Sequence, residues 1–240
     1  MSNIAIVFAG GVGSRMASSS RPKQFLELYG KPVIIHTLDI FQRHPEIDSI
    51  AIAILAEYHE YLDRLVKRYE LDKVRWVVDG GETGQASRHN ALKAVAADSA
   101  PDDIVLIHDG VRPLIDTELV SRNLHAVREH GSAITCTKMT ETVVIEDGSG
   151  IGGVIPRDPL WTAQAPQSFR LGDVLGAYER AVAEGESDSI DSCTLMHSFG
   201  YPLHRVEGPR TNIKITTASD YYICRTFMTL IEDREAFGGE

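Results

Sequence analysis

The residues most able to do chemistry lie in a glycine-rich stretch that follows the first apolar run of the sequence. Residues 9–16 read AGGVGSRM and come directly after residues 4–8, which read IAIVF. Glycine lets a backbone turn tightly and approach a bulky anion, so that successive N–H groups can contact phosphate oxygens. A dinucleotide-binding loop would need a third glycine opening a helix and an acidic residue about 20 positions later, and a Walker loop would need Gly-Lys-Ser or Gly-Lys-Thr. The sequence does not match either pattern well, because Arg15 and Met16 follow Gly13.

Two basic residues favour a third kind of loop, which grips a nucleoside triphosphate for nucleotidyl transfer. Arg15 lies within the glycine-rich stretch, and Lys23 follows Pro22 a few residues later. Arginine and lysine donate charge-assisted hydrogen bonds to phosphate oxygens, so this pair could hold a triphosphate. A glycine-rich turn with a purely structural role remains the alternative for the glycines taken alone.

A second group of candidate residues follows a predicted strand at residues 104–107. Residues 108–113 read HDGVRP, which places Asp109 beyond the carboxyl end of that strand, where open α/β sheets bind their ligands. One carboxylate together with phosphate oxygens suffices for Mg²⁺. The alternative is that Asp109 caps a turn and pairs with Arg112. His108 has no partner at metal or triad spacing, and we expect it to be structural.

Two shorter patterns add candidates. Residues 79–81 read DGG and are followed by Ser87, which indicates a flexible turn with a hydroxyl nearby. The alternative there is an ordinary turn into a helix. Lys214 lies in the run TNIKIT, predicted as a short strand, and a lysine among apolar neighbours usually needs a partner such as a phosphate. The alternative is a solvated lysine on an edge strand.

Short apolar runs alternate with longer amphipathic ones over the first part of the chain, which is typical of a mostly parallel sheet with helices on both faces. Asp116 is a plausible N-cap. The predicted strands are residues 4–8, 49–55, 74–78, 104–107 and 133–137, and the predicted helices are residues 33–43, 57–69, 85–97 and 117–130.

After Lys138 the pattern changes to two short runs flanking the turn Asp147-Gly148-Ser149-Gly150, which predicts a β-hairpin over residues 142–155. We expect residues 138–158 to form an arm on a single domain spanning residues 1–240, with a surface hairpin of no particular role as the alternative. Beyond the arm, the sequence predicts helices at residues 171–183 and 217–232 and strands at residues 202–206 and 212–215.

Composition narrows the class of protein. The chain has 240 residues and a formal net charge of −10, so a broad basic surface for nucleic acid is not expected. Three cysteines without CxxC spacing argue against a disulfide framework or a zinc site. No apolar run is long enough for a membrane span, and the first residues lack a signal sequence. We therefore expect a cytoplasmic protein with no membrane partner.

Together these motifs resemble the CTP-dependent cytidylyltransferases that act on alditol phosphates, a family with a methylerythritol-phosphate branch and a ribitol-phosphate branch. The resemblance covers residues 4 to about 226. It depends on the joint occurrence, in this order, of AGGVGSRM, RPKQF, DGG with Ser87, HDGVRP, RDPLWTAQAPQSF and NIKIT.

The resemblance implies an α/β nucleotidyltransferase fold, a Rossmann-like three-layer sandwich with a mostly parallel sheet and a protruding β-arm, and a homodimer built through that arm. It also implies CTP and an alditol phosphate as substrates and Mg²⁺ as cofactor. By the family pattern, CTP would be held by Ala9, Gly10, Gly11, Gly13, Gly81, Ser87 and Gly110. The catalytic residues would be Arg15, Lys23 and Lys214, with Asp109 on the metal. The alditol phosphate would face Arg112, Asp191 and, from the partner subunit's arm, Thr142 and Arg157.

Three departures from the family pattern bear on the site. Gly84 stands where the family has an arginine, Thr211 where methylerythritol-phosphate enzymes have an acidic residue, and Ile190 where a polar residue precedes Asp191. The AGG start, the extra residue before Lys23 and the QAPQSF run resemble the ribitol-phosphate branch more closely. Rival functions are a sugar-1-phosphate nucleotidyltransferase, a nucleotide-sugar glycosyltransferase, which would usually show an Asp-x-Asp pair, and a nucleotide-sensing domain without activity.

Overall fold

The computed structural model describes residues 1–9 and 22–237. The strands are β1 (Asn3–Phe8), β2 (Glu27–Leu28), β3 (Lys31–Pro32), β4 (Ser49–Ile54), β5 (Val74–Asp79), β6 (Ile104–Asp109), β7 (Ser132–Lys138), β8 (Val143–Glu146), β9 (Ile151–Ile155), β10 (Trp161–Arg170) and β11 (Arg205–Glu207). The α-helices are α1 (Val33–Arg43), α2 (His59–Arg68), α3 (Gly84–Ala96), α4 (Thr117–His130), α5 (Leu171–Ala183), α6 (Ser192–Ser198) and α7 (Ala218–Phe237).

Seven strands form one sheet in the order β11-β7-β10-β6-β1-β4-β5. The four strands from β6 to β5 are parallel, and β7 and β11 run in the same direction. Only β10 is reversed, because it pairs antiparallel with both β6 and β7. The central strand β1 therefore ends beside the end of β6, with Phe8 opposite Asp109.

Helices cover both faces of the sheet, because the strands are apolar on both sides. On one face, α1, α2 and α4 pack on side chains such as Ala5 and Ile52. On the other, α3, α5 and α6 pack on their sequence neighbours, such as Ile4 and Ala51. Burying each large aliphatic side chain contributes about 1.5–3 kcal/mol, so these two cores fix the strand ends firmly. The predicted three-layer α/β fold is confirmed.

The helices at residues 33–43, 117–130 and 171–183 begin and end where the sequence predicts. Asp116 caps α4, and its side chain accepts a hydrogen bond from the Leu119 N–H at 2.7 Å. The first helical turn predicted near Glu57 is a separate 3₁₀ turn, so α2 begins at His59. No helix within the described residues combines the length and the apolar character that crossing a bilayer requires.

The arm is a two-stranded hairpin of β8 and β9, as predicted, with Val143 paired to Ile155. Its side chains point largely into solvent. Val144, Ile145, Ile151 and Val154 are between 49% and 73% exposed. Four exposed aliphatic side chains on so short a ribbon are unusual for a surface that meets only water.

Four further features differ from the sequence prediction. Strand β10, which contains Pro166, was not expected, and its register with β7 shifts between Ala163 and Gln167 around that proline. Helix α6 was also missed. Residues 212–215, predicted as a strand, form no ladder with the described strands, and their backbone–backbone hydrogen bond to the core runs from the Ile215 N–H to the Val111 carbonyl at 3.0 Å. The strand predicted at 202–206 is the shorter β11.

Candidate active site

Two adjoining cavities open at the carboxyl ends of β1 and β6, where an α/β sheet is expected to bind ligands. The first cavity has a volume of 290 Å³ and extends towards the start of α3. The second has a volume of 180 Å³ and extends towards β10 and α6. Both are lined by Phe8, Arg88, Asp109, Ile190 and Lys214. A ligand in one cavity would thus lie against the same side chains as a ligand in the other.

Gly110 lets the end of β6 turn close against β1. Its N–H donates to the Phe8 carbonyl at 3.0 Å. A Cβ at this position would lie 3.2 Å from the Ala9 Cβ and 3.3 Å from the Val7 Cγ1, which is tighter than ordinary packing. Gly110 is not among the described residues that line either cavity, so the structure gives it a packing role beneath the cleft.

Asp109, Lys214 and Arg112 form a charged cluster at the junction of the cavities. Lys214 Nζ lies 2.5 Å from one carboxylate oxygen of Asp109, and Arg112 Nε donates to the other at 2.8 Å. Burial alone would raise the pKa of Asp109, but the two neighbouring cations outweigh burial and hold that pKa well below its usual range. The carboxylate is therefore ionised. Its pairing with Arg112, given above as the alternative to a role in binding Mg²⁺, is present in the structure.

The backbone beside Lys214 is fixed by side chains rather than by a sheet. Arg112 Nη1 donates to the Asn212 carbonyl at 2.7 Å, and the buried Asn212 side chain donates to the Ala165 carbonyl at 2.7 Å. Cys224 of α7 belongs to the small core around Val111 and Ile215. Lys214 itself keeps 39% of its side chain exposed, so its ammonium group is accessible from the cleft.

The predicted turn after β5 lines the first cavity. Ser87 Oγ accepts a hydrogen bond from the Gly81 N–H at 3.0 Å and donates to the Thr83 carbonyl at 3.0 Å. Thr83 caps α3 by accepting from the Ala86 N–H at 3.1 Å. A Cβ on Gly81 would lie 2.3 Å from the Ala86 Cβ, so only glycine fits this turn. Both predicted residues are brought together, with Ser87 holding the Gly81 backbone.

Ala9 and Lys23 also line the first cavity. The buried Gln24 donates from Nε2 to the Ala9 carbonyl at 2.8 Å, which ties the short 3₁₀ turn at Lys23–Phe25 to the end of β1. The predicted residues Gly10, Gly11, Gly13 and Arg15 lie outside the described residues.

Asp191 lines the second cavity and also begins α6. Its carboxylate accepts from the Thr194 N–H at 2.8 Å and from Gln167 Nε2 at 2.9 Å. Thr142 and Arg157 are not brought to the cleft of their own chain. Arg157 Nη1 donates to the Thr140 carbonyl at 3.0 Å at the base of the arm. Their predicted role in the site of a partner subunit stays a prediction.

His108 is fully buried beneath the cleft, in keeping with the structural role predicted for it. Its ring lies edge-on to Phe41, with ring centroids 5.4 Å apart. The Nε2 atom contacts the Arg112 carbonyl at 3.1 Å. Burial lowers the pKa of His108 to about 4. The ring is therefore neutral at pH 7 and donates from Nε2 to that carbonyl.

Sequence reasoning missed two of the buried polar residues of the cleft. Gln24 and Arg88 are 1% and 3% exposed. The start of α3 holds a further loop that was not expected to matter. Thr83 Oγ1 donates to the Ser187 carbonyl at 2.9 Å, and Gln85 bonds the backbone on either side at Glu186 and Ser189, each at 2.6 Å. The available signal was an arginine one turn after Gly84, the position at which the family pattern has an arginine.

Comparisons with known proteins agree with this geometry. The family model described as IspD, 2-C-methyl-D-erythritol 4-phosphate cytidylyltransferase, matches residues 3–230. A ribitol-5-phosphate cytidylyltransferase of Streptococcus agalactiae serotype V is 46% identical over 239 residues, which cover 99% of this chain and 100% of that protein. The corresponding Vibrio parahaemolyticus protein is 44% identical, with 98% and 100% covered. A 2-C-methyl-D-erythritol 4-phosphate cytidylyltransferase of Geotalea uraniireducens is 38% identical, with 93% and 95% covered.

The fold also matches a solved structure over nearly the whole chain. The 4-diphosphocytidyl-2C-methyl-D-erythritol synthase of Anaerococcus prevotii superposes with a TM-score of 0.81 at 30% identity, with 95% of this chain and 96% of that chain covered. The topology of the sheet, the position of the cleft and the similarity over nearly the whole sequence thus indicate the same family. The chain belongs to the IspD family of cytidylyltransferases and is an enzyme of the nucleotidyltransferase class.

Proposed function

We propose that this enzyme transfers the cytidylyl group of CTP to ribitol 5-phosphate, giving CDP-ribitol and pyrophosphate. The observation that carries the proposal is the match to ribitol-5-phosphate cytidylyltransferases at 44–46% identity over the full length of those proteins. Relatives that act on 2-C-methyl-D-erythritol 4-phosphate reach 38%. They and the family model support that alditol phosphate as the alternative acceptor.

The chemical step requires no general base from the protein. The second pKa of a phosphate monoester is about 6, so ribitol 5-phosphate is already a dianion at neutral pH. One of its oxygens attacks the α-phosphorus of CTP, and the bond from that phosphorus to the bridging oxygen of the β-phosphate breaks. Pyrophosphate carries away the electron pair. The protein then contributes by positioning the two phosphates and by neutralising the charge that develops between them.

Lys214 and Lys23 are suited to the α-phosphoryl group. Lys214 lies at the junction of the two cavities, where the attacking and the attacked phosphates would meet, and Lys23 lines the first cavity. Lys214 would exchange its contact with Asp109 for a phosphate oxygen when the substrates bind. Arg112 and Asp191 line the second cavity and would face the alditol phosphate. Arg15 would contact the β- and γ-phosphates.

Asp109 fits the requirements of a ligand for Mg²⁺. Its carboxylate is ionised, and each oxygen can accept more contacts than the one that Lys214 or Arg112 makes. Mg²⁺ usually combines one or two carboxylates with the phosphates of its nucleotide. When bound, the ion would neutralise negative charge on the triphosphate. Among the described residues, no group of three or more histidine, cysteine or acidic side chains could hold a metal by itself. A single protein carboxylate is therefore the proposed arrangement.

The active enzyme is proposed to be a homodimer formed through the arm. The exposed aliphatic side chains of β8 and β9 support this assembly, since an isolated two-stranded ribbon is marginal in water. In such a dimer, Thr142 and Arg157 of the partner subunit would contact the alditol phosphate. A planar arginine fork suits that phosphate.

A pyrophosphate-release assay tests the proposal. The enzyme would be incubated with CTP, UTP, ATP or GTP and, in parallel, with ribitol 5-phosphate, methylerythritol 4-phosphate or glycerol 3-phosphate. We expect release with CTP and the highest kcat/KM with ribitol 5-phosphate. A higher kcat/KM with methylerythritol 4-phosphate would favour the alternative acceptor. No release with CTP and either of these acceptors would refute the proposal.

A further inference from the structure

Arg88 is a buried cation whose hydrogen bonds in the described part of the chain go to neutral groups. The side chain is 3% exposed, its Nε donates to the Tyr178 hydroxyl at 2.6 Å, and its Nη2 donates to the Ser189 carbonyl at 2.9 Å. Among the side chains that the structure describes in residues 1–9, 22–231 and 233, no aspartate or glutamate forms an ion pair with it. Removing an uncompensated charge from water is costly unless another group neutralises it. An anion bound in the cleft would supply the missing charge.

Of the donors that Arg88 leaves unused, those on Nη1 lie beside Gly84, which lines the first cavity. A guanidinium group has five N–H donors, and Tyr178 and Ser189 occupy two of them through Nε and Nη2. The Nη1 atom lies 3.3 Å from the position that a Cβ on Gly84 would take. Gly84 lines the first cavity and not the second. Nη1 is therefore on the side of the first cavity.

Neighbouring groups hold the guanidinium in this orientation. Its central carbon lies 5.3 Å from the centroid of the Phe8 ring, a cation–π distance. The glycine at position 84 leaves room for the planar group over the first turn of α3, because any larger residue would place its Cβ against Nη1. A charged group held on three sides by neutral partners, with its free edge towards a cavity, is prepared for a ligand.

We infer that Arg88 binds a phosphate group of the nucleotide in the first cavity. This inference rests on the proposed function, which supplies a nucleoside triphosphate as the ligand. The chemistry recognised is a pair of phosphoryl oxygens, which match the geometry of a guanidinium group. The phosphate of the alditol offers the same oxygens from the second cavity, which Arg88 also lines. The experiment therefore has to separate the two.

The test compares the binding of CTP, cytidine and ribitol 5-phosphate to the wild type, Arg88→Met and Arg180→Met. Calorimetry follows CTP, and NMR titration follows the weaker ligands. Arg180 is an exposed arginine paired with Glu184 on α5, and its replacement controls for the change in net charge. Because a charge-assisted hydrogen bond is lost, we expect Arg88→Met to weaken CTP binding at least ~10-fold. Cytidine and ribitol 5-phosphate should bind as before, and Arg180→Met should resemble the wild type.

Two further variants separate binding from structure. Tyr178→Phe removes the hydroxyl that accepts from Arg88 Nε but keeps the guanidinium group. It should therefore lower stability while CTP affinity is retained. Arg88→Lys keeps a point charge without the planar fork, so its CTP affinity should fall between those of the wild type and Arg88→Met. If neither Arg88 variant folds, the side chain is a structural element and the inference is wrong.

Other outcomes are equally decisive. Unchanged CTP affinity in folded Arg88→Met, or an equal loss for CTP and cytidine, would overturn the inference. Loss confined to ribitol 5-phosphate would assign Arg88 to the second cavity and overturn the nucleotide assignment. A wild type that binds no CTP would defeat the proposed function as well. If the wild type releases pyrophosphate from CTP but binds CTP no more tightly than Arg88→Met does, this inference is wrong and the proposed function still stands.

Discussion

The cleft and the arm differ in the kind of group that each buries or exposes. In the cleft, charged groups are buried, and the side chains of Asp109 and Arg112 are only 8% and 13% exposed. In the arm, apolar groups are exposed, with Ile151 at 73% and Val154 at 63%. Burying charged groups and exposing apolar groups both cost free energy, for opposite reasons.

The difference indicates what each region binds. Buried charges are stabilised by ligands of opposite charge, so the cleft is suited to phosphates, to which it presents Lys23, Lys214 and Arg112. Exposed aliphatic side chains are stabilised by removal from water, so the arm is suited to another protein surface. The chemistry of the ligand can thus be inferred from the kind of group that each region presents.

The largest effect is expected at Lys214. Replacing it with alanine removes a charge from a preorganised phosphate site, and such a loss typically lowers turnover by about 10²–10³-fold. Lys23→Ala should behave similarly. Steady-state pyrophosphate release measures the effect, with the exposed Lys67 of α2 replaced by alanine as control. Turnover within a few-fold of wild type in a folded Lys214→Ala enzyme would remove this lysine from the mechanism.

Asp109→Asn should affect stability as well as metal-dependent activity. The substitution leaves Lys214 and Arg112 without their shared carboxylate, and breaking a buried pair typically destabilises by about 3–5 kcal/mol. Because Lys214 is 39% exposed and screened by water, we expect about 2–3 kcal/mol. Urea unfolding at pH 7 measures the difference, and Asp188→Asn, at an exposed position, serves as control.

The pH dependence of that difference has a definite sign. The pKa of Asp109 is lower in the folded protein than in the unfolded chain. The carboxylate therefore stabilises the fold at neutral pH, and this contribution is lost as the pH falls from the unfolded-state pKa to the folded-state pKa. The gap between wild type and Asp109→Asn should therefore narrow in acid. A gap that stays constant down to strongly acid pH, or equals that of Asp188→Asn, would contradict the ion-pair model.

His108 should contribute a smaller, pH-dependent loss of stability. Its pKa is lowered to about 4, so the unfolded chain takes up a proton below pH 6.5 that the folded protein does not. Stability should fall from pH 6.5 towards pH 4, by up to about 3 kcal/mol from this residue. In His108→Phe that part of the slope should disappear, whereas His125→Gln, at an exposed histidine, should retain it. Equal slopes in all three proteins would show that His108 does not titrate as described.

The smallest signal concerns the arm. If Arg157 acts in the partner's site, mixing inactive Arg157→Ala with inactive Lys23→Ala under conditions of subunit exchange should recover activity. Half of the dimers are then mixed, and each has one intact site, so roughly a quarter of wild-type activity is expected. Labelled subunits would verify the exchange. Verified subunit exchange without recovery of activity, or sedimentation of the active enzyme as a monomer, would show that Arg157 does not act in the partner's site.

The parallel part of the fold was predictable because β1, β4, β5 and β6 are short, largely apolar runs that alternate with helices along the chain. Strand β10 was not, because Pro166 and the polar residues around it are atypical of a central strand. The structure accommodates them with a register shift at Ala163 and Gln167. Local periodicity gives no information about such a shift, which depends on the two neighbouring strands.

The site was predictable to the extent that its residues follow strand ends. Asp109 and Lys214 both line the cleft, where the end of a buried run suggested a ligand site for Asp109 and the apolar neighbours of Lys214 suggested that it has a partner. That partner in the structure is Asp109 itself, 105 residues earlier, which no local pattern reveals. Arg88 was overlooked because a single arginine on a helix is usually solvated, and its burial depends on the distant Tyr178 and Ser189.

The link between the start of α3 and residues 186–189 has a thermodynamic consequence. Thr83 and Gln85 border the turn that lines the first cavity, and the backbone they hold leads directly into Asp191 of the second. A nucleotide that stiffens this turn would lower the entropy that the alditol phosphate still has to lose. Such coupling is reciprocal, so each substrate would raise the affinity of the other by the same factor.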